Sequence, residues 1–97
     1  MEGIAYLLSE KYEQNEIGYP VPQIDKKEIF VSEKSITRSE WRAAGKFGLN
    51  PSVVLVTPLI NYTGEKKIEY NGKTYGIYRT YSNGDEIELY LEAKAGI

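Results

Sequence analysis

Ile68-Glu69-Tyr70-Asn71-Gly72-Lys73-Thr74-Tyr75 and, a few residues on, Asn83-Gly84-Asp85-Glu86-Ile87-Glu88-Leu89-Tyr90-Leu91-Glu92 decide the fold class. Asn71-Gly72 separates two short β-prone runs, and both residues tolerate positive φ, the requirement of a two-residue hairpin turn. Asn83-Gly84 repeats the device. Beyond it, Ile87, Leu89 and Leu91 alternate with Glu88, Tyr90 and Glu92, the period of a strand with one face in a core. The C-terminal third is therefore predicted to be a β-meander.

Upstream, Val53-Val54-Leu55-Val56 is continuously apolar, which suggests a strand covered on both faces, as in the wall of a small barrel or sandwich. Pro58 lacks an N–H for a ladder, so that strand should end, bulge or lie at an edge there. Thr37-Arg38-Ser39-Glu40 fits the capping box, in which a Thr hydroxyl and a Glu carboxylate each satisfy a free N–H at a helix start. A helix is predicted from about Arg38 to Phe47, stopped by Gly48 and Pro51. Phe47, Glu40, Ala44 and Trp41 share an arc of roughly 120°, and Arg38, Arg42 and Lys46 share a separate arc of about 80°. On this reading Trp41 packs its indole against the barrel or the Val53–Val56 strand.

The N-terminal part reads less regularly. Ile4, Tyr6 and Leu8 alternate with their neighbours, which favours a strand over about Gly3–Tyr12. From Glu13 to Asp25 polar residues, Gly18, Pro20 and Pro22 predict a long loop rather than a tight hairpin. Lys27–Ser32 supplies a second short strand. No repeat or low-complexity tract is visible.

A chain of 97 residues, 41% hydrophobic and 27% charged, can build one core, and the expectation is a single domain over 1–97. Such a chain buries only about two-thirds of its unfolded surface, and without cysteine it has no disulfide or thiolate metal site to add stability. Oligomerisation is the remaining common route. Twelve Lys and Arg against 14 Asp and Glu give a net charge of −2, which removes the bulk attraction of a non-specific DNA coat. No apolar run is long enough for a membrane span and Met1-Glu2-Gly3 lacks the positive start of a signal peptide, so synthesis in the cytoplasm, with no membrane partner, is expected.

Histidine is absent, which excludes Ser-His-Asp and Cys-His machinery, and no Gly-rich phosphate cradle occurs. Glu69, Asp85, Glu86, Glu88 and Glu92 cluster in sequence, but alternation places most of them on a solvent-facing side. No catalytic residue, cofactor or metal is expected. Nine tyrosines are the unusual feature of the composition, with Tyr70, Tyr75, Tyr78, Tyr81 and Tyr90 all in the meander. Half-buried strands favour tyrosine in any case; the functional alternatives are a subunit interface or a base-stacking platform. Lys34, Arg38, Arg42 and Lys46, with Glu40 the single acid among them, form a basic stripe on an insertion between strands, where binding residues are commonly mounted. Because Gly45 and Gly48 weaken the helix and its apolar arc is thin, the Glu33–Pro51 insertion is expected to be mobile in isolation.

At Lys27-Glu28-Ile29-Phe30-Val31-Ser32-Glu33-Lys34-Ser35-Ile36, Ser39-Glu40-Trp41, Gly48-Leu49-Asn50-Pro51 and Tyr70–Tyr81, reaching Glu88-Leu89, the chain resembles the head-closure (head–tail joining) proteins of tailed bacteriophages. The resemblance spans most of the chain after about residue 26; Trp41 stands where a smaller aromatic is expected. It implies a mainly β fold: a small β-barrel of about six strands with one short helix in a long inter-strand loop. It also implies a structural, non-enzymatic role in the virion: a homo-oligomeric ring between the portal and adaptor proteins and the tail, closing the exit channel for packaged double-stranded DNA. Lys34, Arg38, Trp41, Arg42 and Lys46 then become the channel-facing or partner-facing residues. Two rivals remain at this point: a small barrel binding single-stranded nucleic acid through its tyrosines, and a minor tail-completion protein.

Overall fold

The computed structural model describes residues 2–14 and 16–93, the side chains of 11–14 excepted. Six antiparallel strands form a closed barrel in the order β1-β2-β3-β6-β5-β4. They are β1 (Glu2–Gln14), β2 (Pro20–Lys34), β3 (Pro51–Pro58), β4 (Lys67–Tyr70), β5 (Lys73–Asn83) and β6 (Glu86–Ala93). One helix, α1 (Arg38–Gly45), lies between β2 and β3, and a short 3-10 turn, Leu59–Asn61, follows β3. The mainly β barrel with one helix in an inter-strand loop is thus observed.

Alternation fills the interior. Ala5 and Leu7 of β1, Ile29 and Val31 of β2, Leu55 of β3, Ile68 and Tyr70 of β4, and Ile87, Leu89 and Leu91 of β6 form one buried cluster. Closure depends on β4, which pairs with β1 only from Ala5↔Tyr70 to Leu8↔Lys67 and with β5 on its other side. The Asn71-Gly72 hairpin makes so short a strand workable: φ is 52° at Asn71 and 75° at Gly72, positive at both central positions as the turn requires. At the second hairpin only Gly84 has positive φ, and Gly84-Asp85 rather than Asn83-Gly84 form the connection between β5 and β6. β3 ends at Pro58. Both faces of β3 are covered at its centre, since Leu55 is buried inside the barrel and Val54 outside it, where α1 lies against the strand. Buried Thr57 is satisfied twice: its hydroxyl donates to the Phe30 carbonyl (2.8 Å) and accepts from the Asn61 amide (3.0 Å).

Three expectations are corrected. The long loop over Glu13–Asp25 is instead mostly strand: β1 and β2 pair continuously from Glu2↔Ser32 to Gln14↔Pro20, and the described residues 16–19 lie in the connection between them. Pro20 and Pro22 are tolerated because β2 meets β3 only at Ser32–Lys34, so the strand they occupy has an open edge. The result is a two-stranded arm extending past the barrel wall, in a molecule measuring 52 × 30 × 22 Å. The helix ends at Gly45 rather than Phe47, but Gly48 (φ 75°) closes it as expected, with Leu49 N–H donating to the Ala44 carbonyl and Gly48 N–H to that of Gly45. Finally, Trp41 does not pack on the barrel: it is 58% exposed, and Ala44 is the buried residue of α1.

Leu89 is fully buried in the centre of the cluster. Leu89→Ala should lower unfolding stability by about 2–5 kcal/mol, measured by denaturant titration. A loss comparable to that of an exposed-site change would show that the interior is not packed as described.

Candidate functional site

The helix-bearing loop is held to the barrel by one carboxylate. Thr37 caps α1, its hydroxyl accepting from the Glu40 N–H at 3.2 Å. The Glu40 carboxylate does not complete the box; it turns to β5, where it accepts from the Tyr78 hydroxyl (2.8 Å) and from both Nε and a terminal nitrogen of Arg79. Two consecutive strand residues normally point to opposite faces, but the pairing of β5 with β6 shifts register between Ile77 and Arg79. This bulge brings Tyr78 and Arg79 to the same outer side. The Arg79 guanidinium stacks 3.9 Å above the Tyr90 ring, which also meets Tyr78 edge-on with centroids 6.2 Å apart. The network continues through Tyr90, whose hydroxyl donates to Glu88 (2.7 Å), to Lys34, which donates to the same carboxylate (2.9 Å).

Its electrostatics follow from these bonds. The Arg79 hydrogen bond, outweighing partial burial, holds Glu40 below the usual carboxylate range, and the Tyr90 and Lys34 bonds do the same for Glu88. Burial, reinforced by bonding to a carboxylate, raises the phenols: Tyr90 is pushed up to about 12, and Tyr78 also rises. The cluster is therefore charged at Glu40, Glu88 and Arg79 and neutral at both tyrosines near pH 7.

Each expected site residue now has a place. Lys34, Arg38, Trp41, Arg42 and Lys46 are all exposed. Lys34 is tied to Glu88, whereas Arg38, Arg42 and Lys46 make no ion pair among the described residues. With Glu40 neutralised by Arg79, the outer surface of the loop is purely cationic, and it presents two bare aromatic rings, Trp41 and the 82%-exposed Phe47. The loop runs over 35–50, since β2 extends to Lys34, and its tie to the wall opposes the expected mobility. The tyrosines separate. Tyr70 lies in the core, its hydroxyl donating to Glu33 at 2.9 Å, and Tyr75 packs against the core. Tyr78 and Tyr90 serve the helix anchor, and Tyr81, 54% exposed, is left as the open ring of the five. They form no continuous stacking platform. Glu69 pairs with Lys26 (3.2 Å), and the described residues contain no group of His, Cys, Asp or Glu arranged to hold a metal. No described helix is long and apolar enough to cross a membrane.

Compared with known proteins, the chain matches no protein-family description and no curated protein.

Two measurements test the anchor. Glu40→Gln should cost about 1–2 kcal/mol, a charge-assisted bond discounted for the half-exposed Arg79, and should speed amide exchange in α1; Trp41→Ala should cost less than about 0.5 kcal/mol. The reverse order would show that the ring, not the carboxylate, docks the helix. Because Glu40 and Glu88 are lowered from 4.5, their contribution is present above that pH and is lost as pH falls through their folded-state values. Tyr78 and Tyr90 are raised from 10.0, so their contribution is present below that pH and fades as it rises toward 12. Near-UV circular dichroism should hold steady between these limits and change outside both.

Proposed function

We propose that this protein is a structural component of a tailed-bacteriophage head–tail connector, assembling as a ring between the portal and adaptor proteins and the tail. The observation that carries the reading is the loop 35–50. It is fixed to the barrel wall through Glu40, Arg79 and Tyr78, yet its outer side offers Arg38, Arg42, Lys46, Trp41 and Phe47 to whatever lies beyond. A loop held in place but left uncovered suits a surface that neighbours complete. The reading also draws on the sequence resemblance after residue 26 and on the open, apolar-bearing arm of β1 and β2, both at home in a protein whose surface is finished by assembly.

Single-stranded nucleic-acid binding is less well supported, because four of the five meander tyrosines are committed to the core or to the helix anchor. Packaged double-stranded DNA would be met in passing by the cationic loop rather than gripped.

The test is genetic. Deleting the gene from the phage or prophage that carries it should leave heads that package DNA and then lose it, alongside free tails. Supplying the wild-type protein in trans should restore joined particles. Normal infectious titres without the protein would refute the connector reading.

A further inference from the structure

β2 and β3 separate just before Ser32. They pair only from Ser32↔Val56 to Lys34↔Val54, and continuing that register would set Phe30 against Pro58. Proline has no N–H for the Phe30 carbonyl, which takes the Thr57 hydroxyl instead, and β3 follows β6 to Glu86 while β2 runs on into the arm. The fork leaves an open depression of about 470 Å³, lined by Ile4, Phe30, Val56 and Pro58 together with Glu2 and Glu86. Ile4 and Phe30 are a cross-strand pair whose neighbours Ala5, Ile29 and Val31 fill the core, so alternation turns both outward, and Phe30 is 71% exposed. Glu2 and Glu86 are exposed and enter no ion pair among the described residues.

The fork is apolar and acidic, whereas the outer side of the loop 35–50 is aromatic and basic. There Arg38 and Trp41 share a second open depression with Ile36 and Thr37, and Arg42 lies one helical turn beyond Arg38. Within one molecule the two surfaces are held apart: Glu40 ties α1 to Tyr78 and Arg79 of β5, and β6 and β3 stand between β5 and the fork. Apolar walls beside two unpaired carboxylates fit an aromatic side chain flanked by cations. Trp41, with Arg38 and Arg42 on either side, is such a group.

We infer that the α1 loop of one copy docks in the β2–β3 fork of the next, a contact between copies of this chain. Trp41 enters between Phe30 and Pro58 over Val56, and Arg38 and Arg42 face Glu2 and Glu86. A tryptophan seated in an apolar pocket is the usual kind of interface anchor. Fork and loop are different surfaces, so the contact is heterologous: every copy keeps one free fork and one free loop until the contacts close into a ring. The inference rests on the connector reading for its setting and deepens it by naming the surfaces that join the subunits.

Sedimentation velocity at low salt reads the contact in solution, where the wild-type chain should self-associate with rising concentration. Two variants reverse charge, Arg38→Glu with Arg42→Glu on the loop and Glu2→Lys with Glu86→Lys at the fork. Two others remove a ring, Trp41→Ala on the loop and Phe30→Ser at the fork. All these positions are exposed, and circular dichroism with the thermal midpoint checks that each variant folds; if one of a pair does not, the other variant at the same end carries the test. Each variant alone should associate more weakly by on the order of a hundredfold, because like charges across an interface, or a lost anchor ring, are strongly unfavourable. An equimolar mixture of the two charge-reversed variants should associate again, since each loop then meets a fork of opposite sign. Trp41, the single tryptophan, should shift its emission to shorter wavelength in the wild type and that mixture but in neither charge variant alone. A wild type that stays monomeric at its solubility limit, variants that associate like the wild type, or a mixture that fails to recover would each overturn the contact. So would association lost in the fork variants but kept in the loop variants, which would mean that fork meets fork. The deletion experiment reads the connector role separately, so the two can fail independently.

Discussion

Everything in this molecule depends on the short seam between β1 and β4. A sheet of six strands exposes two edges unless it closes, and here closure is made by Ala5–Leu8 against Lys67–Tyr70. That seam gathers Ala5, Leu7, Ile68 and Tyr70 over Leu89 and Leu55 in a single interior. It also uses little of β1. Because the wall needs only one end of β1 and β2, the rest of both strands is free to run beyond it, so the core and the arm have one origin.

The helix is held by a different kind of force. The barrel is closed by apolar burial and ladder hydrogen bonds, whereas α1 contributes one buried alanine and relies on Glu40 for the remainder. A carboxylate gripped by a guanidinium and a phenol is directional: it fixes where the helix sits and which side it turns outward. The bulge at Tyr78 supplies both donors from adjacent residues, and Tyr90 underlies them. Loop and barrel are thereby energetically separable, and a partner can bear on the loop without disturbing the core.

What was legible in the sequence was what is decided locally. The Asn71-Gly72 turn, the alternation of Ile87, Leu89 and Leu91, the stop at Pro58, the Thr37 cap and the Gly48 terminus each depend on a few consecutive residues. The arm was missed because Pro20 and Pro22 read as chain breakers, and only the open edge of β2, a property of the whole sheet, makes them acceptable in a strand. Trp41 was misplaced because helical periodicity groups residues on an arc without saying what the opposing surface offers. That surface offers Arg79 and Tyr78, so the arc docks through Glu40 and turns its indole away. The basic stripe could be named in advance; the anchor beneath it could not, since a register shift between β5 and β6 leaves no mark in the sequence beyond the Tyr-Arg pair itself.

The interior of the barrel has a geometric consequence. Leu55, Ile68, Leu89 and Leu91 are all fully buried, and the Tyr70 hydroxyl reaches Glu33, so among the described residues the interior of the cylinder is filled by side chains. In the proposed ring each copy would be a stave and not a pipe. In the ring proposed above, any bore would run between copies, its width set by how many stood in the circle and how far each leaned.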